Sequence, residues 1–100
     1  MIYITMFIFV KEGQEAVFHE FEECALPLLD DYNGKLIYRV RPSQEAFISN
    51  EEKQPYEIHF ISFASEKDFL NFGKDERRNA FMHLRTESIE SVFMTKGLKL

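Results

Sequence analysis

Four residues capable of acid–base or ion-pairing chemistry fall on alternating positions of two strand-like runs. Arg39 and Arg41 lie in "LIYRVRP" (36–42), and Glu57 and His59 in "PYEIHFISFAS" (55–65). Alternation along a strand puts each pair on one side of a sheet. Imidazole is the side chain that ordinarily titrates near neutrality, so His59, at mid-strand, is a candidate catalytic acid or base. Arg39 and Arg41 can grip the carboxylate of a small acid through paired N–H donors. The competing structural reading makes His59 an interface residue and the arginines partners in cross-strand ion pairs. Opposite charges facing each other across strands contribute only about 0.2–1 kcal/mol each, so they do not fix the register by themselves.

Other chemistry-bearing residues are sparser. His83, in "DERRNAFMHLR" (75–85), is a second catalytic candidate, set beside Arg85 and Glu87. His19 and Glu23 have the four-residue helical spacing that can hold a metal. They sit among Glu20 and Glu22, and a solvated helix face explains them better, so no metal site is expected. Cys24 falls in an apolar helical stripe and reads as a core thiol. "DERR" reads as a helix start with solvated arginines. There is no Gly-rich phosphate loop, paired-cysteine motif or nucleophile elbow.

The elements that must position these groups fit into a chain of one-domain size, residues 1–100. A chain this short removes only about 60–65% of its unfolded surface from water when it folds alone. Yet 45% of its residues are hydrophobic, and eleven are Phe. Pairing with a second copy is one outlet for that excess. The net charge of -5 argues against nucleic acid as a partner. A lone cysteine fits a reducing cytoplasm. "IYITMFIFV" lacks a basic start and a cleavage site and is too short to cross a membrane, so it is expected to be a buried strand.

Residues 2–10 form that first strand. Residues 14–32 change to helical spacing, with Val17, Phe21, Cys24, Ala25, Leu28 and Tyr32 on one face and a bend at Pro27. Asn33-Gly34 closes the helix through a left-handed cap. Strand two follows at 35–41, then a loop at 42–55 that is long for a hairpin, then strand three at 56–63. Ser65 and Asp68 start a short helix through about Phe72, and Asp75 starts a second stretch carrying Ala80, Phe81 and Leu84. Residues 89–95 read as a fourth strand, with continued helix as the alternative, and Gly97 ends it. The order is β-α-β-β-α-β: an α+β, ferredoxin-like chain whose four-stranded antiparallel sheet has helices on one face.

Matching apolar positions across the strands puts Ile2, Ile4, Met6, Ile8, Val10, Leu36, Tyr38, Val40, Ile58 and Phe60 under the helices. The open face would then carry Tyr3, Thr5, Phe7, Phe9, Ile37, Ile61 and Phe63 beside Arg39, Arg41, Glu57 and His59. So apolar a face needs a cover. Two copies stacked sheet to sheet would provide it, with Phe7, Phe9, Ile37, Ile61 and Phe63 as the homodimer interface.

The "YITMFIFV" strand, the "F-x-x-F-E" helix running into "LPLL-x-x-YNGKL", the "PYEIHFISFAS-x-x-DF" strand-to-helix turn and "DERRNAFMHLR" resemble the dimeric α/β-barrel superfamily over the whole chain. Within it the chain looks most like the uncharacterised branch grouped as domain of unknown function 1330. The resemblance implies two ferredoxin-like subunits pressing their sheets together. It also implies a pocket for a small organic molecule, without a tightly bound cofactor, using Tyr3, Thr5, Arg39, Arg41 and His59. Monooxygenases of the superfamily use an Asn, a Trp and a His. This chain has no Trp and has Thr5 where the Asn would stand, while His83 lies roughly where a helix histidine is expected. The alternatives are a noncatalytic structural or binding homodimer, and a haem-binding relative with His83 as ligand.

Overall fold

The computed structural model describes residues 1–49 and 52–100. The chain runs β1 (Ile2–Val10), α1 (Glu15–Ala25), β2 (Gly34–Val40), β3 (Glu57–Phe63), α2 (Glu66–Lys74), α3 (Met82–Ser88) and β4 (Ile89–Gly97). The strands pair antiparallel in the order β2-β3-β1-β4. This is the ferredoxin-like arrangement, with the second helical region broken by a 3-10 segment at Glu76–Ala80. The molecule is a slab, 37 × 36 × 16 Å along its principal axes. Among the described residues, no helix is long and apolar enough to cross a membrane.

α1 buries Phe18, Phe21, Glu22 and Ala25, an i, i+3, i+4, i+7 stripe. Phe21, Ala25 and Leu28 of the expected stripe are buried, whereas Val17 is half-buried and Cys24 is exposed. The helix does not continue as a bent α-helix to residue 32. It tightens into a 3-10 helix at Leu26–Tyr32, with Pro27 in its first turn, where a missing N–H costs little. Asn33 closes that segment in the left-handed conformation (φ 54°), as the Asn-Gly pair predicts. Gly34 is required for a different reason. A Cβ there would lie 2.8 Å from a ring carbon of Phe63 and 3.0 Å from Leu29 Cδ2.

The Asp68 N–H donates to Ser65 Oγ at 3.1 Å, which starts α2. The helix runs on to Lys74, past the expected end. Asp75 Oδ1 then accepts from the Arg77 N–H at 2.7 Å and starts the 3-10 segment. Residues 89–97 are strand rather than helix, paired with β1 so that Phe7 faces Phe93. Of the 42–55 loop, Gln44–Ala46 form a 3-10 turn, and positions 50–51 lie outside the described residues.

The core has two parts. Ile2, Ile4, Leu29, Ile61 and Phe63 pack between sheet and helices, and Phe21, Ala25, Leu28 and Phe81 pack between helices. Here the structure corrects the expected faces. Directly paired residues of an antiparallel sheet share a face. Ile4 pairs with Ile61, Met6 with His59 and Ile8 with Glu57. Ile4 and Ile8 are buried under the helices, and therefore so are Glu57, His59, Ile61 and Phe63. Ile58 and Phe60 face the other way. In β2, Leu36 pairs with Ile61 but Tyr38 pairs with Phe60, so Ile37 is an extra residue in a bulge. Beyond it Tyr38 and Val40 lie on the open face, while Arg39, paired with His59, is on the helix side.

Candidate functional site

Glu57 is the centre of the polar cluster, with its side chain wholly out of solvent (0% exposed). Its Oε1 accepts from Arg39 Nε at 2.8 Å, and its Oε2 accepts from Arg39 Nη2 at 3.1 Å and from Arg41 Nε at 3.0 Å. His59 Nε2 stands 2.8 Å from Oε1. Burial alone would raise the Glu57 carboxyl. The hydrogen bonds from His59, Arg39 and Arg41 outweigh it together and hold the group at about 2. An ionised carboxylate only accepts hydrogen bonds, so the contact places a proton on Nε2 of His59. The ring is thereby oriented, with Nδ1 making no hydrogen bond among the described residues. Arg41 also lies over the Tyr56 ring, 5.1 Å from its centroid.

Next to this cluster, between the sheet and the helices, is a cleft of about 400 Å³. Ile4, Ile8, Ile61 and Phe63 form its sheet wall, and Phe21, Ala25, Leu29, Phe69 and Phe72 form much of its helix wall. His59 reaches it from β3 and Glu22 from α1, while Lys74, Arg78 and Arg85 reach it from the second helical region. Glu22 is buried, and no hydrogen bond to its carboxylate occurs among the described residues. Burial pushes its carboxyl up, opposed by the nearby His59, Arg39 and Arg78. Burial pulls the Arg78 guanidinium down, and the like charge of Arg85 adds to the effect. Arg78 lies over the Phe72 ring at 4.9 Å, and its Nη1 is buried without an acceptor.

The structure therefore brings Arg39, Arg41, Glu57 and His59 together, on the face opposite to the one expected. Tyr3 and Thr5 stay on the open face, where they border a groove with Ile37, Tyr38 and Phe60. Phe7 and Phe9 are on that face too, whereas Ile61 and Phe63 are core residues facing the helices. His83 is exposed on α3 and does not line the cleft. His19 is bound by a 2.7 Å contact to the Tyr56 hydroxyl. No group of three or more potential metal ligands occurs among the described residues.

Glu22, Arg78 and Arg85 did not emerge as site residues from the sequence. For Glu22 a signal was present, since Phe18, Phe21 and Ala25 define a stripe that includes position 22. In "DERR", Arg77 is exposed and paired with Asp31 and Asp75 as a solvated arginine should be. Its neighbour Arg78 turns inward, and adjacent identical residues give no cue to that difference.

No family model matches the chain, and no curated protein matches it. Solved structures are similar over nearly its whole length. A protein of unknown function from Rhodopseudomonas palustris superposes with a TM-score of 0.82 at 10% identity, covering 99% of this chain and 82% of its own. A Bacteroides fragilis protein of unknown function, described as dimeric and ferredoxin-like, gives 0.68 at 12% identity, covering 96% and 93%. A Nitrosomonas europaea protein, described as a candidate antibiotic biosynthesis monooxygenase, gives 0.73 at 10% identity, covering 100% and 99%. At such identities the likeness shows the fold alone.

Proposed function

We propose that this chain is one subunit of a homodimeric α/β barrel that holds a small, largely apolar organic molecule in the cleft between sheet and helices. The observation that carries the reading is the cleft itself. Its volume falls in the range of small-molecule sites, about 300–1,000 Å³, and its mostly apolar walls contain a few converging polar groups. A merely structural dimer would have those groups satisfied by one another. Glu57, Arg39 and Arg41 are so satisfied, but Arg78 is not, its Nη1 being buried without an acceptor. The oriented His59 ring is the best placed group for proton transfer to or from a bound molecule.

The homodimer part of the reading rests on the open face, where Tyr38 is 66% and Phe93 59% exposed, and is supported by the description of the Bacteroides fragilis relative as dimeric. Both features suit the domain of unknown function 1330 branch that the sequence resembles. The lone, exposed Cys24 supports a reducing compartment such as the cytoplasm.

Calorimetric titration with 1-octanol tests the cleft. We expect saturable binding of one molecule per subunit. Gly73 lines the cleft, and a Cβ at that position meets nothing within 4 Å. Gly73→Trp should therefore fill the space, leave the fold intact and weaken 1-octanol at least about tenfold, roughly the loss of 1.4 kcal/mol of apolar contact. No saturable binding, or binding indifferent to Gly73→Trp, would contradict the assignment.

A further inference from the structure

The charge inside the cleft is opposite to that of the protein. The chain as a whole carries -5, yet the ionisable residues lining the cleft other than His59 are one acid, Glu22, against Lys74, Arg78 and Arg85. None of these three cations forms an ion pair among the described residues. Arg39 and Arg41, by contrast, are matched with Glu57, and Arg77 with Asp31 and Asp75. Glu22 acts on Arg78 only at a distance, with no hydrogen bond or ion pair between them, and one acid leaves the three cations in excess.

Arg78 is held as a binding group would be. Its guanidinium is packed on the Phe72 ring, which limits its freedom before anything binds. Its Nη1 is buried with a hydrogen left over, a deficit that a native structure keeps only with a reason. Arg85 stands close enough for its charge to act on Arg78, so these two guanidinium groups are neighbours. The remaining walls are aliphatic and aromatic, with room for one apolar body.

We infer that the ligand is a monocarboxylic acid with an apolar aliphatic or aromatic body, its carboxylate held by the guanidinium of Arg78 and its body lying among Ile4, Ile61, Phe63, Phe69 and Phe72. This deepens the cleft-binding proposal and rests on it. The planar fork of Arg78 matches a carboxylate in a way that a single ammonium cannot. Arg85 and Lys74 add a field favouring the anion without needing to touch it.

The test compares octanoate, 1-octanol and octylammonium, by calorimetry, on the wild type and on Arg78→Met, which keeps an unbranched apolar side chain but removes the guanidinium. Octanoate should bind the wild type about tenfold more tightly than 1-octanol, the effect of one charge-assisted hydrogen-bonded contact, and octylammonium should bind most weakly. Arg78→Met should remove the advantage of octanoate over 1-octanol when both are measured on that variant. Equal binding of octanoate and 1-octanol by the wild type overturns the carboxylate inference while the cleft reading stands. An advantage that survives Arg78→Met overturns Arg78 as the anchor. If none of the three binds, the cleft reading fails and the inference fails with it. Should Arg78→Met not fold, as judged by circular dichroism, the wild-type ranking of the three probes still decides.

Discussion

The two faces of the sheet are built on opposite plans. The covered face holds the charges: Glu57, His59 and Arg39 pair and bond beneath the helices. The uncovered face presents rings: Tyr3 stacks on Phe60, Phe60 on Tyr38, and Phe7 meets Phe93. Simple partition would put them the other way round. The inversion is physically tolerable for different reasons on each side. Under the helices, a carboxylate with three donor side chains replaces what it loses from water. On the open side, aromatic residues are exposed only so long as nothing covers them, which is the condition a second sheet would change.

The largest way to break this comparison is to remove the carboxylate. Glu57→Ala should destabilise the fold by about 3 kcal/mol, measured by urea unfolding. That is the low end for breaking a buried pair, because Arg39 and Arg41 reach water. A loss below about 0.5 kcal/mol would mean that the cluster does not hold the covered face together. The same group predicts a pH dependence. Its folded value is depressed, so its contribution is present above the usual 4.5 and is lost as the pH falls from there towards about 2. Glu57→Ala should flatten the stability profile in that window.

Backbone positions sharpen the contrast. Gly34→Ala forces a methyl against the Phe63 ring and Leu29 on the covered face and should cost about 1–3 kcal/mol, or roughly 4–20 °C in Tm by scanning calorimetry. Gly97 pairs with Tyr3, and a Cβ there meets nothing within 4 Å. Gly97→Ala should change stability by less than about 0.5 kcal/mol.

Glu22 has a sign opposite to that of Glu57. Its folded carboxyl is raised, so its favourable contribution is present below 4.5 and is lost as the pH rises through the raised value. Glu22→Gln should therefore stabilise the protein at pH 7 and should do nothing at pH 3, as measured by urea unfolding at the two pH values. Equal effects at both pH values would show that Glu22 is not a strained carboxylate.

These residues also show what a sequence can reveal. Element order was legible because period and punctuation are local. Alternation marked the strands, Ser65 capped α2, and Asn33-Gly34 ended the first helical region. The face of β3 was not legible, because both alternations of "YEIHFISF" carry large apolar side chains. Matching apolar positions took Ile58 and Phe60 as the covered set, which turned Glu57, His59, Ile61 and Phe63 to the wrong side. The Ile37 bulge compounded this, since an extra residue reverses the alternation for Tyr38, Arg39 and Val40. Arg39, Arg41, Glu57 and His59 were nevertheless recognised as a group, because shared alternation survives a change of face. Arg78 was hidden, since its inward turn depends on a 3-10 segment and on Phe72, neither of which its neighbours in sequence announce.

The uncovered face is where the account is most directly exposed to measurement. Light scattering should give the wild type twice the 11.9 kDa mass of one chain. Phe7→Arg, which sets a charge among the open-face rings opposite Phe93, should reduce it to a folded species of one chain. A wild type that is monomeric at micromolar concentration would contradict the homodimer, as would a dimer that Phe7→Arg leaves intact, since the aromatic face would then not be what joins the two copies.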